Sequence, residues 1–145
     1  QVAPASKCAF GRSAPQRLLE ATFQLGHSSM KRDDDFVREL LLEAEASEGP
    51  YLLAVMTMNP SEKDLKRHMH AAWLSDAGFF QEVNKGVFRI TNQGHDYLAA
   101  IRDDGVWQKT KAAASTAGGV GLGVMKDIAV AYVRQELSTR LGIPL

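Results

Sequence analysis

From Asp33 onward, hydrophobic and polar positions alternate with the period of an α-helix. One face carries the hydrophobic residues Phe36, Val37, Leu40, Leu41 and Ala44. Three aspartates precede this pattern, where the helix dipole favours negative charge, and Gly49-Pro50 ends it. The spacing predicts a first helix over residues 33–47.

The next hydrophobic stretch, residues 51–56, is too short for its period to define its structure. It fits either a buried strand or the beginning of the following helix. Asn59-Pro60-Ser61 is typical of a helix start, because Ser61 can cap the helix and Asp64 completes a capping-box-like pair. The pattern predicts a second helix from Ser61 to about residue 75, ended by Asp76-Ala77-Gly78.

Two short hydrophobic runs surround Asn84-Lys85-Gly86 and predict a β-hairpin over residues 79–90. Thr91 suits the cap of a third helix, which Asp103-Asp104-Gly105 interrupts before the helical pattern resumes over residues 106–114. Glycines within residues 118–123 break this pattern, and a last helix follows. Its hydrophobic positions are Leu122, Met125, Ala129, Tyr132, Val133 and Leu137.

Helix, short strand, helix, hairpin and helix follow one another as in a winged-helix domain. The predicted class is therefore mainly α with a small β hairpin (α+β), a winged helix-turn-helix domain plus a C-terminal helix. We assign residues 1–29 to an N-terminal extension that is weakly structured or has one short helix, and residues 30–105 to the winged-helix domain. Residues 106–145 are expected to be a C-terminal helical segment that packs on this domain or mediates self-association.

Composition limits the classes of function. Seventeen Lys and Arg balance seventeen Asp and Glu in 145 residues, so the chain lacks the overall positive charge of many nucleic-acid-binding proteins. Any contact with nucleic acid must come from a local patch. The single cysteine, Cys8, excludes an internal disulfide and a cysteine-based zinc site and fits a cytoplasmic location. No apolar run approaches the roughly 18 residues of a membrane span.

The second predicted helix carries a candidate DNA-contacting face. With Leu65, Met69, Ala72 and Trp73 turned to the core, the exposed stripe would consist of Lys63, Lys66, Arg67 and His70, with Lys85 at the wing tip. Arg67 is expected to read guanine and the lysines to neutralise phosphates. Changing Lys66 and Arg67 to glutamate should then abolish DNA binding and leave folding intact. The alternative is a solvated or protein-binding face, because Glu62 and Asp64 dilute the positive charge.

No other constellation predicts catalysis, a metal or a cofactor. His68 and His70 are two residues apart, so on a helix they point about 200° from each other, and His95 suits a structural role at a helix start. The aspartates at 33–35 and 103–104 fit helix termini. Cys8 has no evident base, and the glycines of residues 118–123 follow a helix and lack the lysine of a phosphate loop. We expect a protein that is not an enzyme.

Four ordered motifs resemble domain-of-unknown-function family 2513, a bacterial, phage and prophage family similar to the YjcQ proteins. They are Met30-Lys31-Arg32-Asp33 with residues 36–42, His70 with Trp73-Leu74 and Ala77-Gly78-Phe79, Ile90-Thr91 with Gly94-His95 and Leu98, and residues 101–104 with Val106-Trp107. The resemblance implies a winged-helix fold and no established activity. Trp73 departs from the leucine usual in the family, at a position expected to lie in the core.

The resemblance is closest around Arg102, Asp103 and Trp107. We expect Trp107 to pack the trailing helix onto the domain and Arg102 to bond an acid of the first helix. The alternative is an exposed binding surface.

Two functional hypotheses follow. The first is a small DNA-binding or regulatory protein of phage or prophage type that contacts double-stranded DNA. The second is a protein-interaction module, for example in a phage–host or counter-defence contact, without DNA binding. The hydrophobic stripe of the last helix also predicts a homodimer or larger homo-oligomer.

Overall fold

The computed structural model describes residues 30–145, and its first helix, α1 (Asp34–Ala46), lies where the sequence predicts it. Asp33 caps this helix by accepting the Phe36 N–H at 3.1 Å. The buried face consists of the predicted residues Val37, Leu40, Leu41 and Ala44. The expected N-terminal extension, residues 1–29, and its cysteine lie outside the described residues.

A three-stranded antiparallel sheet has the order β1-β3-β2, with β1 (Leu52–Leu53), β2 (Phe80–Asn84) and β3 (Val87–Ile90). The hairpin is therefore confirmed, and the ambiguous stretch at residues 51–56 contains a strand. Leu52 pairs with Phe88, and the Ala54 N–H donates to the Gly86 carbonyl at 2.8 Å. Gly86 has a φ of +72° and lies against Val55, so the turn favours glycine at this position.

The remaining helices are α2 (Glu62–Asp76), α3 (Asn92–Ile101), α4 (Asp104–Thr116) and α5 (Leu122–Leu141). Thr91 caps α3 by accepting the Gly94 N–H at 3.1 Å, and Asp103 caps α4 by accepting the Val106 N–H at 2.9 Å. At the predicted interruption of the third helix, the C-cap of α3 at Arg102 is followed directly by the N-cap of α4 at Asp103. Residues 117–121 connect α4 to α5, with positive φ at Gly118 and Gly119.

One hydrophobic cluster joins the sheet and all five helices of residues 30–145. The helices α4 and α5 add six residues to it, Val106, Trp107, Ala114, Leu122, Met125 and Ala129. Residues 32–145 accordingly form one compact unit. In the predicted stripe of α5, Leu122, Met125 and Ala129 are buried in this core, and Leu137 is exposed.

The described chain is mainly helical with a small antiparallel sheet, which confirms the predicted α+β class and is consistent with a winged-helix-like fold. A helix-turn-helix pair is joined by a turn of about three or four residues. Here β1 and non-helical residues separate α1 from α2 over residues 47–61. The helix that precedes the hairpin is therefore positioned by the sheet and α1.

Candidate functional surface

A capping box fixes the first turn of α2, the helix with four of the five predicted DNA contacts. The Ser61 hydroxyl oxygen accepts the Asp64 N–H at 3.1 Å, and the Asp64 carboxylate accepts the Ser61 N–H at 3.3 Å. The Ser61 hydroxyl also donates to this carboxylate at 2.7 Å and holds the pKa of Asp64 below its usual value. Asp64 therefore orients the start of the helix.

Lys66 is exposed but is paired with α1. Its Nζ lies 2.8 Å from the Asp33 carboxylate and 4.6 Å from the centroid of the Phe36 ring. The hydrogen bond from Lys66 lowers the pKa of Asp33, which is the cap of α1. Lys66 thus holds the start of α1 against α2 and would have to leave this pair to contact a phosphate.

Arg67 uses its guanidinium group to join α2 to α1 and β1. Its two Nη atoms donate to the two carboxylate oxygens of Glu43, each at 2.7 Å, and its Nε donates to the Leu53 carbonyl at 2.9 Å. The hydrogen bonds with Glu43 raise the pKa of Arg67, and those with Arg67 lower the pKa of Glu43. The fork that was expected to read guanine is occupied within the protein.

These pairs also correct the expectation that reversing Lys66 and Arg67 leaves folding intact. A glutamate at position 66 would face Asp33, and a glutamate at position 67 would face Glu43. Like charges at this distance destabilise the fold. The double substitution is therefore expected to destabilise the fold.

His70 does not belong to an exposed stripe, because it is buried between α2 and the start of α1. Its Nε2 accepts the Asp33 N–H at 2.9 Å, and its Nδ1 lies 2.7 Å from the Lys66 carbonyl. Only the neutral ring with its proton on Nδ1 satisfies both contacts. Burial lowers the pKa of His70, in agreement with a neutral structural residue. The prediction that His70 is exposed for DNA contact is wrong.

The buried face of α2 differs from the predicted one. His70, Ala71 and Leu74 are buried, whereas the predicted core residues Leu65, Met69, Ala72 and Trp73 are only partly buried. Trp73 packs edge-on against His70 with ring centroids 4.9 Å apart. Trp73 is therefore not a fully buried core residue. The prediction placed His70 on the exposed face of α2 because histidine is polar. An imidazole with both nitrogens hydrogen-bonded can nevertheless be buried.

Lys63 and Lys85 are the two predicted contacts whose side chains remain exposed without a hydrogen-bond or ion-pair partner in the described part of the chain. Lys63 lies in the first turn of α2, one turn before Arg67, and its charge contributes to lowering the pKa of Glu43. Lys85 lies in the turn between β2 and β3, where its backbone N–H donates to the Asn84 side chain at 2.8 Å. The predicted five-residue stripe thus reduces to two free cations.

Trp107 packs α4 onto α1, as the sequence predicts. The indole is buried, and its Nε1 donates to the Asp35 carboxylate at 2.8 Å. Lys111 donates to the same oxygen at 2.8 Å, and both hydrogen bonds lower the pKa of Asp35. Arg102 donates to Glu45 of α1 at 2.5 Å, which confirms the expected bond to an acid of the first helix.

Arg38 is a residue whose role the sequence analysis missed. Its guanidinium donates to the Ile101 and Arg102 carbonyls at 3.0 and 2.9 Å and to the Asp104 carboxylate at 3.0 Å. These carbonyls end α3, where backbone acceptors lack partners within the helix. Arg38 belongs to the first motif of the family resemblance, and its contacts show why an arginine suits this position.

The aspartates at residues 33, 34 and 103 have structural roles. Asp33 and Asp103 are helix caps, and Asp34 forms an ion pair with Arg32 at 2.9 Å. Arg32 also donates to the Val120 carbonyl at 2.7 Å, within the glycine-rich connection. Residues 30–145 contain no group of histidine, cysteine and carboxylate side chains placed to hold a metal ion.

Hydrophobic side chains are exposed along β1 and the residues that follow it. Leu52 and Ala54 are buried, while the residues that alternate with them face outward. The exposed fraction is 62% for Leu53 and 99% for Met58. We call this set the β1 apolar surface; its members are Tyr51, Leu53, Val55, Met56 and Met58.

The five side chains of the β1 apolar surface are uncharged, and residues 49–61 contain no Asp, Glu, Lys or Arg. A charged group lies beside them at the Leu53 carbonyl, where Arg67 donates a hydrogen bond while it is paired with Glu43. The solvent-facing side of an antiparallel strand is normally polar. The sequence signal for this surface was the continuous hydrophobic run at residues 51–56, since a strand with one buried face needs only alternate hydrophobic positions.

Arg67 also determines which part of β1 is available to a partner. The pairing of Leu52 with Phe88 and of Ala54 with Gly86 directs the Leu53 carbonyl away from β3. Arg67 covers this carbonyl. A partner of β1 would therefore contact the side-chain face rather than extend the sheet through this carbonyl.

Comparison with known proteins identified one family. The family model described as "Hypothetical protein (DUF2513)" matches residues 31–120. Neither the curated proteins nor the solved structures gave a match. Within residues 30–145, no helix has the length and hydropathy required to cross a membrane.

Proposed function

The chain belongs to the DUF2513 family of hypothetical proteins, and from its surface we propose that it is a protein-interaction module. The partner contact is the β1 apolar surface, and the partner contributes an uncharged, hydrophobic segment. The single observation that carries this proposal is the set of five exposed hydrophobic side chains that form the β1 apolar surface. Clustered exposed hydrophobic residues on a folded protein mark interaction sites.

The absence of charge from residues 49–61 supports a hydrophobic rather than a charged partner segment. A charged group buried against these five side chains would lose its hydration, and Arg67 beside Leu53 is already paired with Glu43. The methionines favour contact with partners of irregular shape, because their side chains are unbranched and polarisable.

DNA binding has weaker support. Lys66 and Arg67 are engaged with α1, and His70 is buried. Residues 30–145 contain fourteen Lys and Arg against sixteen Asp and Glu. Of the five predicted contacts, only Lys63 and Lys85 could release counterions without first leaving a partner within the protein. Lys63 and Lys85 favour DNA binding as the second candidate function, because both are exposed and one lies in the hairpin turn that would serve as a wing.

A selection from a displayed library of random 16-residue peptides tests the proposal. Wild-type protein should enrich uncharged, hydrophobic peptides, and fluorescence anisotropy should give their affinities. The Leu53→Ser/Met58→Ser variant should bind at least about tenfold more weakly, because it removes two exposed hydrophobic contacts. The matched control is Val124→Ser, an exposed hydrophobic position on α5, which should bind as wild type does.

The same anisotropy assay with a labelled DNA duplex separates the two functions. Salt-dependent duplex binding that is lost in Lys63→Glu/Lys85→Glu but retained in Leu53→Ser/Met58→Ser would favour the DNA function. Failure of wild-type protein to enrich any peptide, or equal peptide binding by the Leu53→Ser/Met58→Ser variant, would contradict the interaction module.

A further inference from the structure

We propose that Met56 and Met58 form an oxidation site through which hydrogen peroxide weakens binding at the β1 apolar surface. The oxidation itself depends only on the exposure and chemistry of the two thioethers. Its effect on binding rests on the proposed function as a protein-interaction module.

The described methionines differ strongly in exposure. Met58 is almost completely exposed, Met30 is 49% exposed and Met56 is 38% exposed, whereas Met125 is fully buried in the core and Met69 is partly buried. Oxidation of methionine follows the access of the oxidant to sulfur. The structure therefore places two accessible thioethers two residues apart on one surface. The buried Met125 can serve as an internal reference for the oxidation rate.

The chemistry requires only peroxide as the second reactant. The thioether sulfur attacks one peroxide oxygen, an S–O bond forms, and the O–O bond breaks. Proton transfer to the departing oxygen produces water. The methionine loses two electrons and becomes the sulfoxide, while hydrogen peroxide gains them and is reduced to water.

The product changes the property on which the β1 apolar surface depends. A sulfoxide is polar and accepts hydrogen bonds. Residues 49–61 contain no charged side chain that could compensate the lost hydration of the S=O group when a hydrophobic segment binds. Burying the S=O group against a hydrophobic partner leaves it without a donor. Oxidation should therefore weaken peptide binding by at least about tenfold.

Peptide mapping by mass spectrometry after timed exposure of the full chain to hydrogen peroxide tests the site. In folded protein, Met58 should oxidise first, Met30 and Met56 should follow, and Met58 should react at least about tenfold faster than Met125. In urea the rates at Met56, Met58 and Met125 should become similar. Equal rates at Met58 and Met125 in the folded protein would overturn the assignment.

Binding of a selected peptide before and after oxidation tests the effect on the surface. In wild type, oxidation should lower the affinity for the peptide. In Met56→Leu/Met58→Leu, the affinities before and after peroxide treatment should agree within about twofold, because leucine has no sulfur. Met30→Leu is the matched control, since it replaces an exposed methionine outside the surface and should leave the response unchanged. Reduction by methionine sulfoxide reductase should restore binding.

The outcomes separate the two proposals. Oxidation at Met56 and Met58 without a change in peptide affinity contradicts the proposed effect of oxidation on binding and leaves the interaction module unaffected. Failure of the untreated protein to bind any peptide contradicts both the interaction module and the effect of oxidation on binding. The peptide mapping would still decide whether Met56 and Met58 are an oxidation site.

Discussion

Replacing Arg67 by methionine tests whether this side chain is a structural clamp. The substitution removes two hydrogen bonds to Glu43 and one to the Leu53 carbonyl, and methionine keeps much of the hydrophobic stem. Arg67 has a side-chain exposure of 26% and Glu43 one of 53%. Solvent therefore screens the ion pair, which should contribute at most about 1 kcal/mol.

The bond from Nε to the Leu53 carbonyl adds to this value. A hydrogen bond from a charged donor contributes about 1.5–3 kcal/mol when buried, and partial exposure favours the lower end. Together these contacts predict that Arg67→Met lowers the free energy of unfolding by about 1.5–2.5 kcal/mol. Arg67→Glu should lower it further, because the new carboxylate faces Glu43.

Urea unfolding followed by the fluorescence of Trp73 and Trp107 measures the change. A double-mutant cycle with Glu43→Gln should give a coupling energy of about 0.5–1 kcal/mol that decreases at high salt. Lys63→Met is the matched control, because Lys63 is exposed one turn away and has no side-chain bond in the described residues; its effect should stay within about 0.5 kcal/mol. An Arg67→Met variant as stable as wild type, with zero coupling, would refute the clamp and leave Arg67 free for DNA.

Four further predictions concern stability and association. His70 contributes stability as a neutral ring, and burial lowers its pKa below the usual 6.5. This contribution is present above about pH 6.5 and is lost as the pH falls through the folded-state pKa. The nearby charge of Asp33 favours protonation of His70, and the charges of Lys66 and Arg32 oppose it. Urea unfolding at about pH 7.5 and about pH 5.5 should show a larger loss for wild type than for His70→Gln, and equal losses would contradict the neutral ring. Gly94→Ala should lower the stability by about 2–3 kcal/mol in thermal unfolding, because the added Cβ would overlap the Phe79 carbonyl and the Ile90 side chain. The control Gly123→Ala places its Cβ in open space and should change the stability by less than about 1 kcal/mol. Trp107→Ala should cost about 3–5 kcal/mol and Trp73→Ala clearly less, so similar urea midpoints would show that the burial assigned to the two residues is wrong. If α5 mediates the homodimer expected from its stripe, Leu137→Lys/Leu141→Lys should sediment as a monomer where wild type does not; a monomeric wild type at high micromolar concentration would contradict self-association.

The sequence alone predicted where most helices and strands begin and end. Asp33, Ser61, Thr91 and Asp103 cap the helices that they were expected to cap or separate. Such ends depend on hydrogen bonds between residues two or three positions apart. The hairpin followed for the same reason, because its turn residues lie next to one another in the chain.

The sequence also identified side chains important for packing, although not always their partners. Trp107 was expected to pack α4 onto the domain, and Arg102 to bond an acid of the first helix. Arg38 escaped notice, because its acceptors at the end of α3 are more than sixty residues away. No local pattern reports such a contact.

Tertiary structure decided which faces of α2 and β1 are buried. The 3.6-residue period defines a helix but leaves the choice of buried face to its neighbours, and here the cap of α1 binds His70 and draws it into the interior. Lys66 and Arg67 then face acids of α1, so of the five predicted contacts only Lys63 and Lys85 are exposed without a hydrogen-bond or ion-pair partner within residues 30–145. Likewise, residues 51–56 are hydrophobic on both sides, and only pairing with β3 buries Leu52 and Ala54 while leaving Leu53 and Val55 exposed. The candidate surface therefore became visible only in three dimensions, because exposure depends on what the rest of the chain covers.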